Sequence, residues 1–224
     1  DAPPKPARFI MNYWHIGATY NWFKDREARF HHLYYNRTDG KEVRCGLNLQ
    51  NLDDYSTVVL SPPAGNAPWP ADPEGRAAAI RQLEAFARQG GNVVFVGLAV
   101  HGLNHPDLVG LLGVKGLLTG KQMEKVPCRA ADAGHPLFAD CGDAGAPPEL
   151  LAGPLLQGPA EATVLLAPIA TPDRIAALER RIGNGRILVL PQELFPPFAA
   201  QTRGVAEKDL PPFVGRFLQN LMAH

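Results

Sequence analysis

Histidines and carboxylates define the widest chemistry open to this chain, and they are few enough to place individually. His101 and His105 stand four apart, His15 follows a short aromatic run, and Glu193 follows an apolar run ending at Leu190. Two or three neutral imidazoles with one carboxylate suit zinc, copper or nickel, and the same groups without a metal can transfer protons. Asn104 and Pro106 flank His105 and favour a loop there, so helical i, i+4 chelation is not assured. The alternative for these histidines is hydrogen bonding to loop backbone. No cofactor is expected. A divalent metal at His101 and His105 is the one addition the residues allow. His31 and His32 fall in a segment read as helix, where neighbours point about 100° apart and cannot easily share an ion.

Nucleophiles are scarcer. The chain has three cysteines, Cys45, Cys128 and Cys141, so at least one is unpaired. Cys128 and Cys141 flank a Gly/Ala/Pro-rich loop and could form a local disulfide in an exported protein; three ordinary thiols is the other reading. No CxxC pair, no G-x-S-x-G elbow, and no Walker or G-x-G-x-x-G loop opening a helix is found, which leaves thiol-zinc, serine-hydrolase and nucleotide chemistry unsupported. Aromatic residues crowd the first part of the chain: Tyr13, Trp14, Tyr20, Trp22, Phe23, Tyr34 and Tyr35. They could stack a sugar or a partner, or simply pack a core. Trp69, between Pro68 and Pro70, is the better surface candidate.

These residues need elements to hold them. Arg8–Trp14 reads as a first strand and 19–34 as a helix with Tyr20, Phe23, Phe30 and Leu33 inward; Glu42–Cys45 is a second short strand. Tyr55–Leu60 is an apolar, β-branched run of the kind buried on both faces in a parallel sheet. Asp72 and Pro73 are an N-cap and first-turn proline, and Ala77, Ile80, Leu83, Glu84 and Ala87 give a mostly apolar helical face. Gly90-Gly91 stops that helix and Asn92–Gly97 follows as a strand, which completes a βαβ unit whose crossover should be right-handed. Pro106–Leu112 is a short helix. Residues 114–160 give no clear pattern. Thr163–Leu166 is a strand, Asp173–Arg181 a short helix or turn, and Arg186–Leu190 a strand after the Gly183-Asn184-Gly185 turn. The last element, Leu210–Met222, is an amphipathic helix with Phe213, Val214, Phe217, Leu218 and Leu221 on one face.

The whole chain fits one α/β domain, 1–224, with a Pro-rich tail at 1–7. It has 224 residues, 46% of them hydrophobic, and 22 basic residues balance 22 acidic ones. That balance, without a basic cluster, gives no grip on nucleic acid or anionic lipid. No apolar run approaches the roughly 18 residues of a membrane span. A start at Asp1 rather than Met is read as a processed N-terminus, which points to a periplasmic or secreted protein; a cytoplasmic one is the alternative.

Asp54–Leu60, the run Arg81-Gln-Leu-Glu-Ala-Phe-Ala-Arg-Gln-Gly-Gly-Asn-Val-Val-Phe-Val-Gly97, the His135-Pro-Leu-Phe138 segment, the Gly183–Leu190 segment and the closing Phe213–Leu221 helix occur in an order that resembles the class I glutamine amidotransferase-like superfamily. The nearest branches are the trehalose-utilisation-like proteins and the middle domains of β-galactosidases. The resemblance spans roughly 54–222 and implies a three-layer α/β sandwich with a flavodoxin-like, mostly parallel sheet. Active members of the superfamily carry a cysteine on a sharp turn after a central strand. The matching turn here is Gly97-Leu-Ala-Val-His-Gly102, with Ala99 in the nucleophile's place. The family's downstream His and Glu would fall near Pro191-Gln192-Glu193, where no histidine stands. Alanine cannot attack a carbonyl, so glutaminase activity by the thioester route is not expected.

The resemblance therefore implies a non-catalytic domain that binds a partner protein or a small, sugar-like ligand beyond the carboxyl ends of the strands. The ligand-binding candidates are Trp14, His15, Trp69, Ala99, His101 and Gln192. A hydrolase or isomerase using His15, His101 or His105 with Glu193 is the second expectation. A structural domain that assembles as a homo-oligomer is the third, with the amino-terminal aromatics and Leu194–Ala200 as its apolar face.

Overall fold

The structure, a computed structural model, describes residues 8–12, 29–33, 36–38, 41–43, 52, 55–60, 72–97, 106–142, 149–194 and 212–223. Its centre is a nine-stranded sheet formed by β1 (Arg8–Asn12), β2 (Arg29–Leu33), β5 (Thr57–Leu60), β6 (Asn92–Val96), β8 (Val126–Ala130), β9 (Leu150–Ala152), β11 (Thr163–Pro168), β13 (Ala177–Ile182) and β14 (Gly185–Leu190). Their spatial order is β2-β1-β5-β6-β14-β13-β11-β8-β9. The first five run parallel, and the remaining four join by antiparallel pairs. The sheet is thus parallel over one half and antiparallel over the other. Two small sheets complete the strands: β3 (Asn36–Thr38) with β4 (Lys41–Val43), and β7 (Val114–Leu117) with β10 (Leu156–Pro159) and β12 (Arg174–Ile175).

The parallel strands are the apolar runs of the sequence. Val58, Val59 and Leu60 of β5 and Val93, Val94, Phe95 and Val96 of β6 are all buried, as a strand covered on both faces requires. Alternation divides them between two cores. Val58, Leu60, Val93 and Phe95 face α1 (Pro73–Arg88) and α2 (Pro106–Leu112), while Val59, Val94 and Val96 face α3 (Pro212–Ala223). This gives three layers with helices on both faces, the flavodoxin-like architecture.

The helices begin and end where their chemistry says. Asp72 Oδ1 accepts the Gly75 N–H at 2.6 Å and caps α1, with Pro73 in the first turn. Gly90, at φ +103°, terminates it. Ala79, Ile80, Leu83, Phe86 and Ala87 form its buried face, whereas Glu84 turns outward to pair with Arg88 at 2.6 Å. In α3 the five predicted positions Phe213, Val214, Phe217, Leu218 and Leu221 are buried, and each is worth about 1.5–3 kcal/mol of transfer free energy.

Three expectations are corrected. Residues 29–33, read as helix, form strand β2, with His31 paired to Ile10 and His32 to Met11. The outer edge of β1 supplies a ladder of backbone hydrogen bonds that outweighs local propensity. Residues 173–181, read as helix or turn, form β12 and most of β13, because the two-residue Gly183-Asn184 turn folds β13 back on β14. The unpatterned stretch 114–160 contains β7, β8, β9 and β10, which are too short for periodicity to register. The tail at 1–7 lies outside the described residues, as do 13–28 and 195–211.

Candidate functional site

Parallel pairing brings four strand ends to one edge. Asn12 of β1 pairs with Leu60 of β5, Leu60 with Phe95 of β6, and Val96 of β6 with Leu190 of β14. The chain leaves each strand there, which is where an open α/β sheet holds its ligands. Gly97 follows β6 at φ +55°, a left-handed conformation that makes a sharp turn and suits glycine. After β14 the chain enters a 3-10 turn, Gln192–Leu194, anchored by the fully buried Leu194, whose N–H donates to the Pro191 carbonyl at 3.1 Å. This turn presents Glu193, whose carboxylate is mostly buried and lies 3.1 Å from Lys125 Nζ. Lys125 comes from the segment before β8, and nothing in sequence spacing links it to Glu193. Leu194, expected on an exposed apolar face, is instead core; the rest of that stretch, 195–200, lies outside the described residues.

Of the candidate catalytic, ligand-binding and metal residues singled out from sequence, Glu193 is the one whose side chain is described. Trp14, His15, Trp69, Ala99, His101 and His105 lie outside the described residues, as does the side chain of Gln192. Among the described residues, no three His, Cys, Asp or Glu side chains converge closely enough to hold a metal ion.

Cys128 lies on β8 and Cys141 follows the 3-10 turn Pro136–Phe138; both are buried free thiols, so they form no disulfide. Cys128 Sγ donates to the carbonyls of Val126 at 3.4 Å and Ala152 at 3.7 Å. Burial pushes its pKa up; the Ala152 hydrogen bond opposes this and the Glu193 charge adds to it. Cys141 Sγ donates to the Leu137 carbonyl at 3.6 Å and is pushed up to about 11, chiefly by burial. A thiol held protonated is a poor nucleophile. Cys45 lies outside the described residues.

A second polar assembly has no counterpart among the sequence motifs. Thr57, Asn92 and Arg186 occupy one register row at the opposite edge of β5, β6 and β14. Arg186 Nε donates to Asn92 Oδ1 at 3.1 Å, and Asn92 Nδ2 donates to Thr57 Oγ1 at 3.4 Å. Next to this row Glu179 of β13 is buried, with Oε2 2.9 Å from His135 Nε2 and Oε1 3.4 Å from Arg181 Nε. Neither carboxylate oxygen meets a partner in good hydrogen-bond geometry among the described residues. Burial lowers the Arg186 pKa, and the Glu179 charge opposes that shift. His135 Nδ1 accepts the Leu137 N–H at 3.3 Å, which places the imidazole proton on Nε2, facing Glu179. In the sequence His135 stands in the His135–Phe138 segment and Glu179 in the stretch 173–181 read as helix or turn, and no local pattern there signals a buried carboxylate.

No family model matches this sequence, and no curated protein is recognisably similar to it. Solved structures do match the fold. A cytoplasmic protein from Salmonella typhimurium superposes at TM-score 0.62 and 14% identity over 97% of both chains. A glutamine amidotransferase from Thermotoga maritima gives 0.52 at 14% identity over 84% of this chain and 75% of that one. A β-galactosidase from Bacillus circulans gives 0.53 at 12% identity; 98% of this chain matches 31% of the enzyme. The chain has the glutamine amidotransferase-like, flavodoxin-type fold. At these identities the likeness extends to the fold alone.

Proposed function

We propose that this protein is a non-catalytic amidotransferase-like domain that binds a partner protein or a small, sugar-like ligand at the carboxyl edge of its parallel strands. One observation carries the reading. The sequence after Gly97, Leu98-Ala99-Val100-His101-Gly102, contains no cysteine, and the two described thiols are buried and held protonated. The segment after β14 supports it, offering Gln192 and Glu193 without a histidine, with Glu193 engaged by Lys125. The sugar-like ligand is an analogy with sugar-related branches of the fold, and Trp69 is the stacking residue it would use. The unpaired Cys128 and Cys141, with the description of the Salmonella neighbour, support a cytoplasmic rather than an exported protein.

The mostly buried Glu193 at this edge favours one rival, a hydrolase or isomerase pairing it with His15 or His101. Thermal denaturation against a panel of neutral sugars, with and without zinc, copper or nickel, separates the two. The proposal expects a saturable rise in Tm with a sugar, lost in Trp69→Ala and unaffected by metal. Stoichiometric metal that His101→Ala and His105→Ala both abolish would overturn it in favour of the enzyme.

A further inference from the structure

Among the described residues two large apolar side chains stand well open to solvent, Leu151 at 58% and Ile169 at 47% exposure. They are not scattered. Leu151 of β9 pairs with Pro127 of β8, and the Ile169 N–H donates to the Pro127 carbonyl at 3.0 Å, which continues the β11–β8 ladder by one residue. Their strand neighbours Cys128 and Ala152 lie in the core on the α3 side. Alternation therefore sets Ile169, Pro127 and Leu151 in one row on the opposite face, and Pro127 is exposed as well. Beside this row, on the same face, Arg129 Nε donates to Glu149 Oε1 at 3.1 Å, and both residues are exposed. Helix α1 packs on β6, β13 and β14, and the antiparallel extension β11-β8-β9 reaches beyond it. Single exposed apolar side chains are ordinary, but an aligned row on a sheet face that no described helix covers calls for a partner.

We propose that this face of β11, β8 and β9 docks a second copy of the chain about a two-fold axis. The charges select that occupant. An Arg–Glu pair set side by side is self-complementary, because a two-fold axis beside it carries each copy's Arg129 to the other's Glu149. A partner of one charge sign would meet its own sign at one of the two. The equal numbers of basic and acidic residues leave no net repulsion between copies. The inference is independent of the ligand reading, which concerns a different part of the sheet. A stable dimer buries about 800 Å² per partner, more than this row and one ion pair supply, so association is weak, with Kd of about 10–100 μM.

Sedimentation equilibrium from about 5 to 500 μM, a range bracketing that Kd, tests it on the full chain. The wild type is expected to pass from monomer to dimer. Leu151→Lys, Arg129→Glu and Glu149→Arg should each weaken the dimer about tenfold or more, and the double swap Arg129→Glu/Glu149→Arg should recover most of the loss. All of these positions are exposed, and matching thermal melts verify that the variants fold. A wild type that stays monomeric throughout, or a dimer that all these variants leave unchanged, would overturn the proposal.

Discussion

Replacing Glu179 with glutamine keeps the side chain's shape and deletes its charge, which makes it the cleanest perturbation of the buried polar assembly. The side chain is 4% exposed, with His135 Nε2 at 2.9 Å and Arg181 Nε at 3.4 Å. Its charge also offsets the cost of burying the Arg186 guanidinium. With its proton on Nε2 alone His135 is a neutral partner, so the loss is that of a buried polar contact to a charged group, about 1.5–3 kcal/mol. Arg181 is 85% exposed and regains water easily, so about 2 kcal/mol is expected here. Urea unfolding followed by circular dichroism should show the midpoint fall by roughly 1 M, at an m-value of 2–3 kcal/mol/M. His135→Ala should be destabilising too, since it removes the Leu137 cap as well as the Glu179 contact. In the double mutant the two losses should fall short of additivity by about 1 kcal/mol or more. A Glu179→Gln variant within about 0.5 kcal/mol of wild type, near the limit of a neutral surface change, would refute this reasoning.

Two glycines should respond in opposite directions to alanine. A Cβ on Gly185 would land on the backbone carbonyls of Gly91 and Ala87, where α1 meets the β13–β14 hairpin, so Gly185→Ala should cost about 3 kcal/mol in chemical denaturation. Gly215, within α3, has nothing within 4 Å of the place a methyl group would take, and Gly215→Ala should stabilise by about 0.5–1 kcal/mol in the same assay. Native Cys128 and Cys141 should resist a thiol reagent at about pH 8 and react in urea, as mass spectrometry of the labelled peptides would show. Cys141 titrates near 9.0 when unfolded and at about 11 when folded, so its contribution to stability is complete below pH 9 and declines as pH rises towards 11. Flat stability from about pH 8 to 11 would contradict that shift.

The parts of the fold legible in the sequence were those where local and tertiary demands agree. The Asp72 cap, the Gly90 stop, the apolar runs of β5 and β6 and the face of α3 each carry their own signal. What stayed hidden depended on distant partners. Strand β2 requires the edge of β1. Strand β13 carries Glu179, Arg180 and Arg181, which look solvated until His135 and Arg186 arrive from elsewhere in the chain. Likewise, Glu193 was visible as a carboxylate after a strand, whereas Lys125 became its partner only through the meeting of β8's approach with the turn after β14.

The non-catalytic reading turns on the segment after Gly97, where the sequence places Ala99 and no cysteine. Ammonia release from glutamine, measured with the purified protein at millimolar substrate, tests it most directly. No release above the buffer background is expected. Release that saturates with glutamine would contradict the non-catalytic reading, and Cys45→Ala, Cys128→Ala and Cys141→Ala would then show whether a thiol is the nucleophile.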